Sequence, residues 1–158
     1  MVVGSCARVH YRLHEFDAAE VALPGFGTAR VVLAGQYVAQ DSAGQYIERL
    51  GPPYRAWVYA GSTSGPNADS LSLTLIGAES GDTIQVALSP LEPMEGDTLG
   101  RRVATATNLA VPYQDYLAVL EIHTRGVDRS DPLRGVGRLN HRFSHSSAFR
   151  FWERLMSV

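Results

Sequence analysis

Through most of this chain apolar residues recur at every second position, the period of a strand whose successive side chains point to opposite faces. Ala7 to Glu15 sets Val9, Tyr11 and Leu13 against Arg8, His10, Arg12 and His14, which predicts a half-buried strand with a basic outer side. Strand character resumes from Ala29 to Ala39 through Val31, Val32, Leu33, Tyr37 and Val38, and from Arg55 to Ala60 around Trp57. Leu71, Leu73 and Leu75 alternate with Ser72 and Thr74, and a short link then leads to Thr83 through Leu88, so a hairpin is expected. Arg102 to Leu109 is extended, with Val103, Thr105, Thr107 and Leu109 on one side. From Tyr116 to Thr124 both sides stay apolar until Glu121, which predicts a strand lying between two layers. Pro112 cannot donate to a ladder, so the chain must bend before that strand begins.

Other stretches break the alternation. In Asp41 to Leu50, the residues Ala43, Tyr46, Ile47 and Leu50 fall at i, i+3, i+4 and i+7. With Asp41 or Ser42 as cap and Gly51-Pro52-Pro53 as stop, this predicts one short helix over about residues 42–50, docked on a sheet. Phe16 to Gly27 is acidic and punctuated by Pro24, Gly25 and Gly27, so it reads as a connection with room for a helical turn. Ser89 to Gly100 reads as an acidic surface loop, and Arg125 to Gly137 as a long excursion rich in Gly, Arg and Asp. Ser146 to Val158 fits a helix through Phe149, Trp152, Leu155 and Met156, or a strand through Phe149, Phe151 and Leu155. Periodicity does not choose between the two. About eight strands, one helix and frequent turn signals predict a single all-β domain over residues 1–158, an antiparallel β-sandwich of jelly-roll type.

Composition bounds the function. An apolar fraction of 45% and a charged fraction of 19% describe an ordinary globular chain of 158 residues, long enough to bury a full core. No apolar run reaches about 18 residues, so no membrane span is expected. Nor is a secretory leader expected, since no apolar h-region stands near Met1. Cys6 is the single cysteine, which excludes an intrachain disulfide. Val3-Gly4-Ser5-Cys6 loosely matches a bacterial lipid-attachment box, though only five residues precede the cysteine, and a plain small hydrophobe is the stronger reading. All fourteen basic residues are arginines, which excludes chemistry through a lysine Schiff base or a P-loop lysine. Residues 1–100 hold five Arg against eleven acids, and residues 101–158 hold nine Arg against five, so the net charge of −2 divides into −6 and +4. That asymmetry makes Arg125, Arg129, Arg134, Arg138 and Arg142 candidates to face nucleic acid without reading its sequence. Solvated arginine on strand surfaces is the blander alternative.

No catalytic motif stands out. There is no Gly-rich phosphate loop between a strand and a helix, and no nucleophile-elbow pattern. Glu121 and His123 share a strand face, and His141 and His145 share one only on a helix; all four are assigned structural roles, with no metal and no cofactor expected. Asp128 and Asp131 stand beside Arg129 and Arg134, where ion pairing or capping is the expected role.

The order of features resembles the jelly-roll coat proteins of picornavirus-like particles over about residues 40–156. In that family a short helix ending in Arg precedes the central strands, as in Ser42 to Arg49. Trp57-Val58-Tyr59-Ala60-Gly61-Ser62 is similar to its aromatic strand followed by Gly-Ser, and Val111-Pro112-Tyr113 to its hydrophobic-Pro-Tyr step. Ala148-Phe149-Arg150-Phe151-Trp152 is similar to its last aromatic strand. The chain departs from the pattern at Ala60, where Arg is common, and at Ser146-Ser147, where acids often stand. The resemblance implies a non-enzymatic shell subunit of a virion, whose partners are other copies of itself or related coat subunits. The alternative is a partner- or ligand-binding β-sandwich on a bacterial or phage surface or in the periplasm, with Cys6 as an anchor.

Overall fold

The computed structural model describes residues 8–40, 46–61, 68–98, 100–124 and 132–149, none of which is helical. The first strands are β1 (Arg8–Phe16), β2 (Ala19–Leu23), β3 (Gly27–Gln40), β4 (Tyr46–Ala60), β5 (Ala68–Gly77) and β6 (Thr83–Val86). They are followed by β7 (Glu92–Pro93), β8 (Arg102–Leu109), β9 (Tyr116–Thr124), β10 (Leu133–Leu139) and β11 (His141–Phe149). The larger sheet runs β11-β1-β4-β3-β2, with β8 beside the later half of β4 and β7 beside β8. The smaller runs β10-β9-β5-β6. Among the described residues all pairings are antiparallel except β1 with β4, where His10 lies opposite Tyr46 and Leu13 opposite Arg49.

The all-β expectation holds, and the two sheets face each other as a sandwich. Alternation decides which residues meet inside. Val21, Val31, Val58 and Ala104 line the inner side of the larger sheet; Leu73, Leu75, Leu120 and Ile122 line that of the smaller, and all are fully buried. Fully burying one of the Val, Leu or Ile side chains contributes about 1.5–3 kcal/mol relative to leaving it exposed.

Two seams close the sandwich. Along one, β10 lies against β2: a Cβ on Gly137 would stand 2.8 Å from Val21 Cγ2 and 2.9 Å from the Glu20 carbonyl oxygen, and one on Gly135 would strike the Ala22 carbonyl oxygen. Only glycine allows that approach. Along the other, the chain leaving β6 crosses to β8. The Ser89 N–H donates to the Thr105 carbonyl (2.7 Å), and the Thr105 N–H donates to Ser89 Oγ (2.9 Å). Arg102 reaches between the layers and donates to the carbonyls of Ala68 and Leu91, each at 3.0 Å.

The helix expected over 42–50 is corrected: residues 46–50 open β4, and 41–45 lie outside the described residues. A helix this short is marginal on its own, whereas here both flanks of the segment find ladder partners. Tyr46 to Arg49 pair with β1, and Ile47 to Arg49 pair with Gln40 to Val38 of β3. Gly51-Pro52-Pro53 is not a helix stop but lies within β4, where the pairing with β3 shifts register.

The acidic connection of 16–27 contains β2, whose Ala19, Val21 and Leu23 point inward. The expected excursion of 125–137 contains the start of β10, and Gly135 and Gly137 serve the seam rather than a loop. On β8 the packed side is Ala104 and Ala106, the opposite of the side expected to be apolar. Of the ambiguous C-terminal segment, 146–149 belong to β11, and 150–158 lie outside the described residues.

Candidate ligand groove on the outer face of the larger sheet

The residues that alternate with the core on β2, β3 and β4 face outward and align in rows across the strands. Glu20 lies opposite Arg30, Arg30 opposite Tyr59, and Tyr59 opposite Val103. The next row sets Val32 beside Trp57 and Trp57 beside Thr105. Glu20 and Arg30 form an exposed ion pair at 3.6 Å. Arg55, two residues before Trp57 on the same face, stacks its guanidinium 5.6 Å from the Trp57 ring centroid, and its Nε is buried without a hydrogen-bond partner.

One wall rises from the segment between β7 and β8. Positive φ at Gly96 (72°) and Gly100 (66°) folds this segment back on itself. The Met94 N–H donates to the Arg101 carbonyl (3.2 Å), and Asp97 accepts from the Arg101 N–H (2.6 Å), Nε (3.2 Å) and one terminal nitrogen (3.0 Å). The side-chain hydrogen bonding that Asp97 accepts, and then its negative charge, raise the Arg101 pKa above its ordinary value. Gly61 lets this wall approach, because a Cβ there would lie 2.7 Å from Arg101 Cα.

Between wall and sheet lies a groove of about 600 Å³. Its floor is Thr28, Arg30, Val32 and Tyr59, with Glu20 on one rim and Met94 and Arg101 on the other. A separate, more open depression of about 300 Å³ shares Met94 and Arg101 with the groove and is otherwise lined by Pro93, Asp97, Gly100 and Arg102. The larger volume falls within the range of small-ligand sites. Among the described residues, no histidine or cysteine lines either space.

No family model matches the chain, nor does any curated protein or solved structure.

The arginines singled out from the sequence are not gathered here. Arg134 and Arg138 stand exposed on β10 in the smaller sheet, where Arg134 lies 3.6 Å from Glu121. Arg142 belongs to β11 in the larger sheet and reaches Glu15 at 3.2 Å and Asp17 at 3.8 Å. Arg125 and Arg129 lie outside the described residues, as do Asp128, Asp131 and Cys6.

Glu121 and His123 sit on β9 and His141 and His145 on β11, so the four are divided between the sheets. His141 is held elsewhere: its backbone N–H and Nδ1 lie 2.8 and 2.6 Å from Asp115 Oδ1. Those two hydrogen bonds, the backbone one foremost, hold the Asp115 carboxyl below its usual range. Tyr113 packs edge-on between the His14 and His141 rings. Inside this corner the Tyr54 hydroxyl is buried without a partner, and burial raises its pKa, with Tyr113 and Tyr116 adding to the effect.

Sequence reasoning passed over the groove although part of its signal was present. Arg55, Trp57 and Tyr59 alternate with Tyr54, Ala56, Val58 and Ala60, which marks an aromatic, cationic outer side. The wall had no such signal, because the Ser89 to Gly100 stretch, rich in turn residues and acids, places Leu91, Met94 and Leu99 at no strand period and no sustained helix period.

Proposed function

We propose that this protein is a non-enzymatic β-sandwich that works by binding a ligand or partner in the groove on the outer face of its larger sheet. The observation carrying this reading is the row Glu20, Arg30 and Tyr59, an acceptor, a donor and an aromatic ring on neighbouring strands beneath the Met94–Arg101 wall. A flat sheet surface offers no enclosure, whereas a wall over such a row lets a ligand be contacted from two sides. A bacterial or phage surface or the periplasm suits a module of this kind.

A thermal-shift screen of sugars, peptides and metabolites tests it, run beside a variant carrying Arg30→Ala and Tyr59→Ala. A ligand that binds only the folded state raises Tm, by an amount that grows with the logarithm of its concentration relative to Kd. The expected result is a compound that stabilises the wild type and not the variant. If no compound discriminates between them, the groove is not a binding site.

A second reading is a jelly-roll shell or assembly subunit of a virus-like particle, in contact with other copies of itself or related coat subunits. Two observations favour it: β11 ends the strand order of the larger sheet, and Val136 and Phe143 are exposed large apolar residues at 54% and 46%. An edge strand is a template for pairing with another chain, and symmetric assembly is one way of covering it. Light scattering decides, since a stable monomer at high concentration excludes a shell. Contact with a genome would in addition require salt-sensitive binding of single-stranded nucleic acid, weakened when Arg134, Arg138 and Arg142 become Gln.

A further inference from the structure

Resting on the groove as a binding site, we infer that its ligand is a neutral, hydroxyl-rich chain, an uncharged oligosaccharide. The charges lining the groove are already matched. Arg30 stands 3.6 Å from Glu20, and Arg101 is held by three hydrogen bonds to Asp97. An anionic ligand would have to compete with these carboxylates for the guanidinium groups, and a cationic ligand would meet the guanidinium groups themselves. A sugar hydroxyl accepts from an arginine N–H and donates to a carboxylate at the same time, so it joins such a pair without breaking it. Hydrogen bonds to ionised partners are the stronger kind, and they favour neutral hydroxyls placed between Glu20 and Arg30.

Spacing and surface agree with that chemistry. Glu20, Arg30 and Tyr59 sit opposite one another on adjacent strands, and strands lie about 4.8 Å apart, close to the width of one pyranose ring. Beside this polar row, Val32, Met94 and the Tyr59 ring supply the apolar surface that the C–H side of a sugar covers. The groove is open rather than enclosed, and a second depression borders the same Met94 and Arg101, so the surface suits a chain of several sugar units better than a single enclosed one.

The test is a two-dimensional amide NMR titration of the folded protein with maltohexaose, cellohexaose, xylohexaose, mannohexaose and chitohexaose. A sulfated heparin oligosaccharide, an oligogalacturonate, and one acidic and one basic peptide serve as charged probes. The expected result is saturable shifts at Arg30, Tyr59, Gly61 and Arg101 with at least one neutral probe. Affinity for that probe should fall about tenfold in Tyr59→Ala and in the shape-conserving Glu20→Gln, whose spectra report whether each variant is folded. If only charged probes shift those amides, the ligand class is wrong and the binding role stands. If no probe of either class shifts them, or if a neutral probe binds both variants as it binds wild type, the inference fails; in the first case the binding role fails with it.

Discussion

The two outer faces of the sandwich rest on one core and are built by the same alternation, yet they differ in kind. The larger sheet shows Glu20, Arg30, Tyr59, Trp57 and Arg55, with the Met94–Arg101 wall above the row. On the smaller sheet Thr74, Val119 and Val136 lie side by side on β5, β9 and β10. Glu121 and Arg134 form an ion pair beside them. Strand period produces an outer face on any sheet. A recess needs a segment that folds back over that face, and here that segment depends on the positive φ of Gly96 and Gly100 and on the missing side chain at Gly61. The contrast turns on loop chemistry rather than on the strands.

The largest effect should come from beneath both faces. Leu120 is fully buried on β9, so Leu120→Ala is expected to cost about 2–5 kcal/mol, measured by denaturant unfolding. A cost under about 1 kcal/mol would mean that the sheets do not share a tight core.

Next comes the wall. Gly61→Val would push side-chain carbons into the Arg101 backbone and should cost about 1–3 kcal/mol, together with loss of groove binding. On the smaller sheet Val136→Thr, at an exposed position, should change stability by less than about 0.5 kcal/mol. Equal effects of the two substitutions would erase the distinction between the faces.

A smaller effect tests whether the sheets are tied at their corner. Asp115 precedes β9 and His141 begins β11, so their hydrogen bonds join the two sheets. Because the folded Asp115 pKa is depressed, its contribution is complete above the unfolded pKa and is lost as pH falls through the folded value. Asp115→Asn should therefore be less stable than wild type near neutrality, and the gap should close as pH drops below the ordinary carboxylate range. Both side chains are about one third exposed, at 38% and 32%, so solvent screening keeps the gap modest. A gap that persists unchanged in acid would assign the tie to something other than this carboxylate.

The smallest effect belongs to the smaller sheet's ion pair. Arg134 and Glu121 are separated by 3.6 Å and Arg134 is largely exposed, so Arg134→Gln should cost no more than about 0.5 kcal/mol and leave groove binding intact. If Arg134→Gln weakened the groove ligand as much as a change at Tyr59, the smaller sheet would have to be part of the binding surface.

The sequence by itself determined the all-β class, the β5–β6 hairpin and the strand character of β1, β3, β8 and β9, because a buried sheet face imposes a period of two on the residues that make it. It also contained the outward row of Arg55, Trp57 and Tyr59. Tertiary structure alone decided what the glycines do. Gly135 and Gly137 resemble loop residues in a list of letters, and only the nearness of β2 shows that they are there to let two backbones meet. It likewise turned Tyr46 to Leu50 from a plausible helical stripe into a strand, since ladder partners on both flanks outweigh the weak preference of a short isolated segment. The groove belongs to the same class. Its floor was written in alternation, but its wall exists only because a turn after β7 folds back over strands more than thirty residues earlier in the chain, a relation that no local pattern encodes.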